Sequence, residues 1–276
     1  MVTATANPPS ARRRFQYPSE FAWTLFALVF TIMAVHATYV AWIRPQGEAI
    51  TQLELERMKE DRTYVPKRSF FLVIKDFEQE LEIMHFVWAM LIIGYKALLV
   101  RRERKFLELE LIHVPEGIKV LPEDAKDYAR QLEALTDDKD RLVVRALQRT
   151  LDRFAATRSI RDSAETSKTV CDSEADRLYS SLAMIRYIAW AIPAIGFIGT
   201  VRHIGDALLQ ANQAVSGDIT SVTSSLGIAF NATFVALSLT IVLMFFLHQL
   251  QQSQEDLVHD TDQWIDQRLI RHMQVR

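Results

Sequence analysis

Two apolar runs in the second half of the chain carry side chains that form hydrogen bonds but do not titrate near neutral pH. The run from Leu182 to Val201 contains Thr200, and the run from Leu226 to Leu247 contains Asn231 and Thr233. Each run can cross roughly 30 Å of hydrocarbon at 1.5 Å per helical residue. Polar atoms at that depth must find a protein partner or water, so they predict helix–helix contacts or the lining of a cavity.

On a helical wheel the second run has two faces of small or polar residues. The first seam consists of Ala229, Thr233, Ala236 and Thr240. The second seam, roughly opposite, consists of Gly227, Asn231 and Ser238. The residues between the seams are large and apolar, and we expect them to face lipid: Phe230, Phe234, Leu237, Ile241, Met244 and Phe245. A helix with two such seams packs against protein on two sides, as a subunit of a membrane assembly does.

The first run has features that could bend it or bring a neighbour close. Pro193 removes a backbone hydrogen bond and predicts a bend or hinge. Gly196 and Gly199, like Gly227 in the second run, are expected mainly as close-packing positions.

Three polar residues, Arg202, His203 and Asp206, follow the first run at the expected outer mouth. Arg202 and Asp206 are spaced i, i+4 and could pair on one helical face. Such a pair is typical of an ordinary interfacial ion pair, and control of ion entry stays open beside it.

Four apolar stretches must position these residues, and they predict an all-α integral membrane protein. We place transmembrane helices at 21–43, 81–100, 181–206 and 226–248. A three-span fold stays open because the second stretch contains His85 and Lys96 and could be a buried or interfacial helix. In the first stretch, His36 is expected to bond another helix rather than to relay protons.

The connecting segments are polar, and their basic residues indicate an orientation. Segment 101–180 is rich in Lys and Arg, whereas the hairpin 207–225 has none, so the positive-inside rule places the former in the cytoplasm and the latter outside. The tails 1–20 and 249–276 are then cytoplasmic, and 44–80 is an extracytoplasmic loop or helix. The seven basic residues of 44–80 argue against this arrangement. Three spans would instead leave the arginines of the first tail outside.

The predicted cytoplasmic parts have helical periodicity. One apolar face begins at Leu142 and ends at Phe154, and Leu250, Leu257 and Trp264 recur at seven residues. We expect segment 101–180 to be largely helical and to run into the third span. The last span is expected to continue as an amphipathic helix packed against it or against a neighbouring subunit.

Composition excludes several classes of function. The net charge of −2 gives no argument for nucleic-acid binding. A single cysteine, Cys171, excludes an intrachain disulfide, and no Cys/His spacing indicates a metal site. The soluble segments contain no nucleophile–base pair or phosphate loop, so we expect neither an enzyme nor a bound cofactor.

The residue pattern resembles that of the MotA/TolQ/ExbB proton-channel family. The resemblance rests on Pro193, then GFIGT from Gly196 to Thr200, a hairpin, and GIAFNATFVAL from Gly227 to Leu237. It covers about residues 180 to 250, and elsewhere the likeness is one of architecture. Four spans resemble the flagellar-stator branch, and three resemble the TolQ/ExbB branch.

The resemblance implies a homo-oligomeric ring of five subunits in the bacterial inner membrane. The ring would surround single-span helices of a MotB/TolR/ExbD-like partner, whose membrane Asp takes up and releases H⁺ or Na⁺. Thr200 and Thr233 would then line the ion path, with Asn231 in a similar role from the second seam. This chain has no Asp or Glu between Gly227 and Leu250, unlike TolQ and ExbB members, so the partner would supply the titrating carboxylate.

Two classes of function therefore remain open. The first is a stator subunit that couples ion flow to mechanical work. The second is a non-conducting membrane scaffold that anchors a partner helix through the same seams. The identity of the powered process depends on the partner and is not indicated by this chain.

Overall fold

The computed structural model describes residues 19–60, 64, 69–109, 111–115, 117–136, 140–209 and 220–275. Over this part of the chain the fold is helical, with one isolated bridge between Val120 and Met273. The predicted tail 1–20 and the centre of the predicted hairpin lie largely outside the described residues. The helices are α1 (Ser19–Thr38), α2 (Arg44–Glu60), α3 (Phe70–Ile74), α4 (Phe77–Leu107), α5 (Ala125–Leu135), α6 (Leu142–Thr157), α7 (Ile160–Ser181), α8 (Ala183–Leu209) and α9 (Thr220–Arg268).

Four helical stretches are long and apolar enough to cross a bilayer: 20–58, 77–107, 160–209 and 226–272. They include the four stretches predicted from the sequence, and the second is as apolar as the first. Lys96, which weakened that prediction, is buried and its Nζ lies 3.4 Å from a carboxylate oxygen of Glu20. His85 lies within hydrogen-bond distance of the Leu81 carbonyl at 2.8 Å. Lys96 and His85 thus have partners inside the fold, which favours four spans over three.

The first span does not end at residue 43, because α1 continues into α2 through a π-helical turn, Tyr39–Ile43. The Arg44 N–H donates to the Tyr39 carbonyl five residues earlier, which is the π pattern. Pro45 has no N–H to donate, and a π-helical turn is the kind of local adjustment that accommodates a proline inside a continuous helix. The Tyr39 hydroxyl donates to the Ile74 carbonyl at 2.7 Å and fixes this turn against the end of α3.

The bundle core lies where α4, α8 and α9 meet. Ile92 of α4, Ile188 of α8 and Leu243 of α9 are almost completely buried in one cluster. On the side of α1, Val35 and Tyr39 form a second cluster. We call the end of the bundle near Leu209 the hairpin end, and the opposite end the lobe end.

A helical lobe built from α5, α6, α7 and the last turns of α9 continues the bundle at the lobe end. Its core contains Leu147, Leu151 and Phe154 of α6 together with Ile265 of α9. The predicted apolar face of α6 is therefore confirmed, as is the packing of the α9 extension against this region. A single turn residue, Leu182, separates α7 from α8, so the predicted passage of this segment into the third span is also observed.

The two seams of α9 have different surroundings. Ala229 and Ala236 of the first seam are completely buried against the rest of the chain. Gly227 and Ser238 of the second seam are exposed, and Asn231 is half-buried. The large apolar residues predicted to face lipid are all uncovered. Within a single chain, the other helices therefore cover the first seam of α9 and leave the second seam largely exposed.

A candidate ion site between three helices

The hydroxyls of Thr200 on α8 and Thr233 on α9 meet between the two helices in a short contact with each other. The Thr200 hydroxyl can donate to the carbonyls of Ala229 at 3.0 Å or Gly196 at 3.1 Å. Thr233 lies 3.4 Å from the same Gly196 carbonyl. Thr200 and Thr233 thus belong to one polar cluster. The carbonyls of Gly196 and Ala229 are the other hydrogen-bond acceptors in that cluster.

Glycines on α8 bring its backbone close to α4 and α9. A Cβ at Gly196 would lie 2.5 Å from Cβ of Ala236 and 3.2 Å from Oε1 of Glu82. A Cβ at Gly199 would lie 2.7 Å from Cγ of Glu78. Both glycines are close-packing positions. Pro193 lies inside α8, one turn before Gly196, and the helix continues through it.

The main residue that the sequence analysis missed is Glu82 of α4. Its side chain is completely buried, and both carboxylate oxygens lack a hydrogen-bond partner among the described residues. It lies against Gly196 of α8, close to Ala236 of α9. The partner alone was expected to supply a carboxylate at the depth of the last span, and the structure places one of this chain's own carboxylates there. Glu82 belongs to α4, so the composition of the last two apolar runs does not reveal it.

Glu78, one helical turn before Glu82, is also buried and binds the polar residues at the hairpin end. An Arg202 guanidinium nitrogen lies 2.8 Å from Glu78 Oε1, and His203 Nε2 lies 3.7 Å from Glu78 Oε2. The expected pair of Arg202 with Asp206 is not formed. Instead His203 Nδ1 lies 3.9 Å from the Asp206 carboxylate. A buried carboxylate on a neighbouring helix competes better for the guanidinium than an exposed one, because it is less screened by solvent.

Glu80, on the opposite face of α4, has a different environment. Its carboxylate lies 2.7 Å from His36 Nδ1 and 2.5 Å from an Arg44 nitrogen. His36 is therefore a helix–helix hydrogen-bonding residue, as predicted. Glu80 joins α4 to the α1–α2 helix and is paired with a permanent cation.

Asn231 and Gly227 are not part of this cluster. Asn231 lies on the second seam of α9, away from the buried first seam. Among the described residues, no atom of another helix lies within 4 Å of a Cβ placed at Gly227. Within one chain the structure brings Thr200, Thr233, Gly196 and the Arg202–His203 pair together around α4. Asn231 faces outward from that cluster.

A signal in the sequence could have identified the carboxylates of α4. Glu78 and Glu82 are spaced i, i+4 immediately before the apolar stretch that starts at Ile83. That spacing places both carboxylates on one face of the helix. At the end of a predicted span, such a face must be covered by protein or water.

A second polar region lies between the bundle and the lobe. A cavity of about 400 Å³ is lined there by charged residues, including Lys96, Arg145 and Glu174. The Arg145 guanidinium donates to Glu174 at 2.6 Å. The charges lining this cavity include pairs of opposite sign. Among the residues that the structure describes, no cluster of His, Cys, Asp or Glu has the arrangement of a metal site.

The model of the MotA/TolQ/ExbB proton channel family matches residues 135–263, which include α6, α7, α8 and most of α9. No curated protein and no solved structure matches the chain.

Proposed function

We propose that this multi-pass membrane protein is the ion-conducting stator subunit of a motor, because the model of the MotA/TolQ/ExbB proton channel family matches residues 135–263. In this proposal the chain works with a single-span MotB/TolR/ExbD-like partner that carries a membrane Asp. Flow of H⁺ or Na⁺ down its gradient then drives mechanical work by the partner. Moving one charge releases about 2.3 kcal/mol per 100 mV, comparable with a few hydrogen bonds.

The observation that supports conduction is the pairing of Thr200 and Thr233 beside a buried carboxylate. The two hydroxyls lie between α8 and α9, and Gly196, whose carbonyl they contact, also lies against Glu82. Hydroxyls can exchange their carbonyl partners for an ion, a water or a carboxylate without a change of charge. A polar cluster of this kind at mid-span is expensive in lipid and is typical of ion pathways.

The uncovered faces of α8 and α9 support the assembly part of the proposal. The second seam of α9 and large apolar side chains of α8, among them Trp190 and Phe197, are exposed on a single chain. A homo-oligomeric ring, with five subunits as the family resemblance implies, would cover such faces with neighbouring subunits and with the partner helices. The basic segment 101–180 would lie in the cytoplasm and the hairpin outside, as in a bacterial inner-membrane protein.

Proton flux tests the proposal directly. The full-length chain, purified with the proteins that bind it, is placed in liposomes containing a pH-sensitive dye, and flux is recorded under an imposed membrane potential. We expect Thr200→Val and Thr233→Val to reduce the flux, because valine keeps the shape of threonine but has no hydroxyl. The matched control is Thr38→Val, since Thr38 lies on the exposed face of α1 and its hydroxyl donates to the Ala34 carbonyl of the same helix. Undiminished flux in both test variants, with normal insertion, would remove this pathway.

A non-conducting scaffold is the second candidate function, and one observation favours it. Thr200 and Thr233 bond each other and the carbonyls of Gly196 and Ala229, which is the arrangement that helix packing alone requires. A scaffold would give no flux in wild-type liposomes but would still hold its partner through detergent purification.

A further inference from the structure

Glu82 lies deep in the apolar part of the bundle. It approaches Gly196 of α8 next to Ala236, which is at the midpoint of the apolar run from Leu226 to Leu247. Ala236 is ten residues from Leu226, so about 15 Å of helix at 1.5 Å per residue separates it from the start of that run. The carboxylate is therefore about one helical turn from the level of Thr233, well inside the hydrocarbon thickness.

The three glutamates at the start of α4 have different partners. Glu80 is paired with Arg44 and His36, and Glu78 is paired with Arg202. Glu82 has no cation or hydrogen-bond donor beside it among the described residues, although it is the most deeply placed. An ionised carboxylate without a partner at this depth is strongly disfavoured, whereas a protonated one is tolerated. The surroundings of Glu82 thus favour the protonated carboxyl group, and its ionisation requires a cation, a water or a hydrogen-bond donor to approach it.

A series of titratable groups leads from the hairpin end towards Glu82. Asp206 is about half-exposed, His203 lies 3.9 Å from it, and Glu78 lies 3.7 Å from His203. Each of these separations can be bridged by one water. Glu78 and Glu82 are one turn apart on the same face of α4. The other titratable or charged groups near this series are Arg202 on α8, Lys75 and Asp76 before α4, and Tyr39 in the π-helical turn. The segment of α9 between Thr220 and Leu247 contains no titratable residue.

We propose that Glu82 is a proton-binding site carried by this chain itself, loaded from the hairpin end through His203 and Glu78. The Glu82 carboxylate accepts one proton that enters from water at Asp206, becomes neutral, and later gives that proton to water or to the partner's carboxylate near the threonine pair. The proposal rests on the proposed ion-conducting function and adds a second exchanging group to the one expected in the partner.

Chemical labelling of the wild-type chain tests the site without a variant. The apolar reagent N,N′-dicyclohexylcarbodiimide reacts with protonated carboxyl groups in apolar surroundings. Native membranes containing the full chain are treated over a range of pH, and the modified peptides are located by mass spectrometry. We expect adducts at Glu82 that decrease as the pH rises, and little modification of Glu80, which is paired with Arg44. Absence of adducts at Glu82 throughout the range, or equal labelling of Glu80, would overturn the assignment.

Flux measurements separate this inference from the function on which it rests. We expect Glu82→Gln to reduce proton flux at least about tenfold, as loss of a positioned proton-transfer group does, and Glu82→Asp to retain part of it. The control is Glu56→Gln, which removes an exposed carboxylate of α2. Wild-type flux with an undiminished Glu82→Gln variant would refute the role of Glu82 but leave the channel in place. Absence of wild-type flux would instead refute the channel, and the labelling result would still decide whether Glu82 binds a proton.

Discussion

The backbone of Gly199 on α8 lies directly against the side chain of Glu78 on α4. A Cβ at residue 199 would be 2.7 Å from Cγ of Glu78 and 3.1 Å from Cβ of Ala232. Real Cβ atoms essentially never come as close as the 2.7 Å to Glu78, so an alanine at residue 199 would force α4 and α8 apart or move the Glu78 side chain. The Glu78 side chain can therefore occupy its position only because residue 199 has no Cβ atom.

The first prediction follows from this contact. We expect Gly199→Ala to destabilise the bundle by about 1–3 kcal/mol, the usual cost of overpacking a close contact. The measurement is thermal unfolding of the full-length protein in detergent. Gly205→Ala is the matched control, because Gly205 lies on the same helix and no atom of another described helix lies within 4 Å of the added methyl group. Equal stability of the two variants would show that α4 does not pack on α8 at residue 199.

The threonine pair gives the second prediction. Interhelical hydrogen bonds in membranes couple by about 0.6 kcal/mol on average and at most about 1.7 kcal/mol. We expect a double-mutant cycle with Thr200→Val and Thr233→Val to give a coupling energy in that range, measured by reversible unfolding in bicelles.

The control cycle for the threonine pair combines Thr200→Val with Thr240→Val. Thr240 donates to the Ala236 carbonyl of its own helix at 2.8 Å, so its substitution should add independently. If the stability changes of Thr200→Val and Thr233→Val added as independently as those of the control cycle, the contact between the two hydroxyls would be contradicted.

These contacts show which parts of the fold the sequence could predict. The apolar runs predicted the spans, and the 3.6-residue period predicted the buried face of α6, because both signals are local. The continuation of α1 through Pro45 was not predicted, because a proline after an apolar run ordinarily indicates the end or a kink of a helix.

The candidate site could be predicted only in part for a related reason. Thr200 and Thr233 were found because polar residues inside apolar runs are conspicuous. Glu82 was not found, because it lies at the end of its own run and only the docking of α4 against α8 places it beside the middle of α9. The pairing of Arg202 with Asp206 was not found for the same reason. Arg202 pairs with Glu78 of another helix instead of with the residue four positions along its own helix.

The pair of Arg202 and Glu78 gives the third prediction. Among the described residues, Arg202→Gln leaves the buried Glu78 carboxylate with His203 as its remaining partner. We expect a loss of about 1–3 kcal/mol of stability, the cost of an unsatisfied buried group. Adding Glu78→Gln removes the uncompensated charge and should restore part of the stability. Both values come from the same unfolding measurement.

An exposed ion pair provides the comparison for Arg202. Arg130 and Asp127 of α5 form a salt bridge on the surface of the lobe. We expect Arg130→Gln to cost less than about 1 kcal/mol, because solvent screens exposed pairs. If Arg202→Gln cost no more than Arg130→Gln, Glu78 would not be buried beside it.

The fourth prediction concerns pH and Asp76, the residue that precedes α4 outside the apolar stretch. Burial raises the pKa of the Asp76 carboxyl above its usual value of 3.8, and Lys75 and His203 oppose this only in part. The folded chain therefore binds this proton more tightly than the unfolded chain. The resulting stabilisation is complete below pH 3.8 and is lost as the pH rises through the folded pKa.

Asn begins a helix as well as Asp does. We expect Asp76→Asn to raise the melting temperature near pH 7 and the difference from wild type to shrink towards pH 4. Asp152→Asn, which removes an exposed carboxylate of α6, should change the melting temperature little at either pH. A variant that is less stable than wild type near pH 7 would show instead that the ionised Asp76 carboxylate stabilises the start of α4.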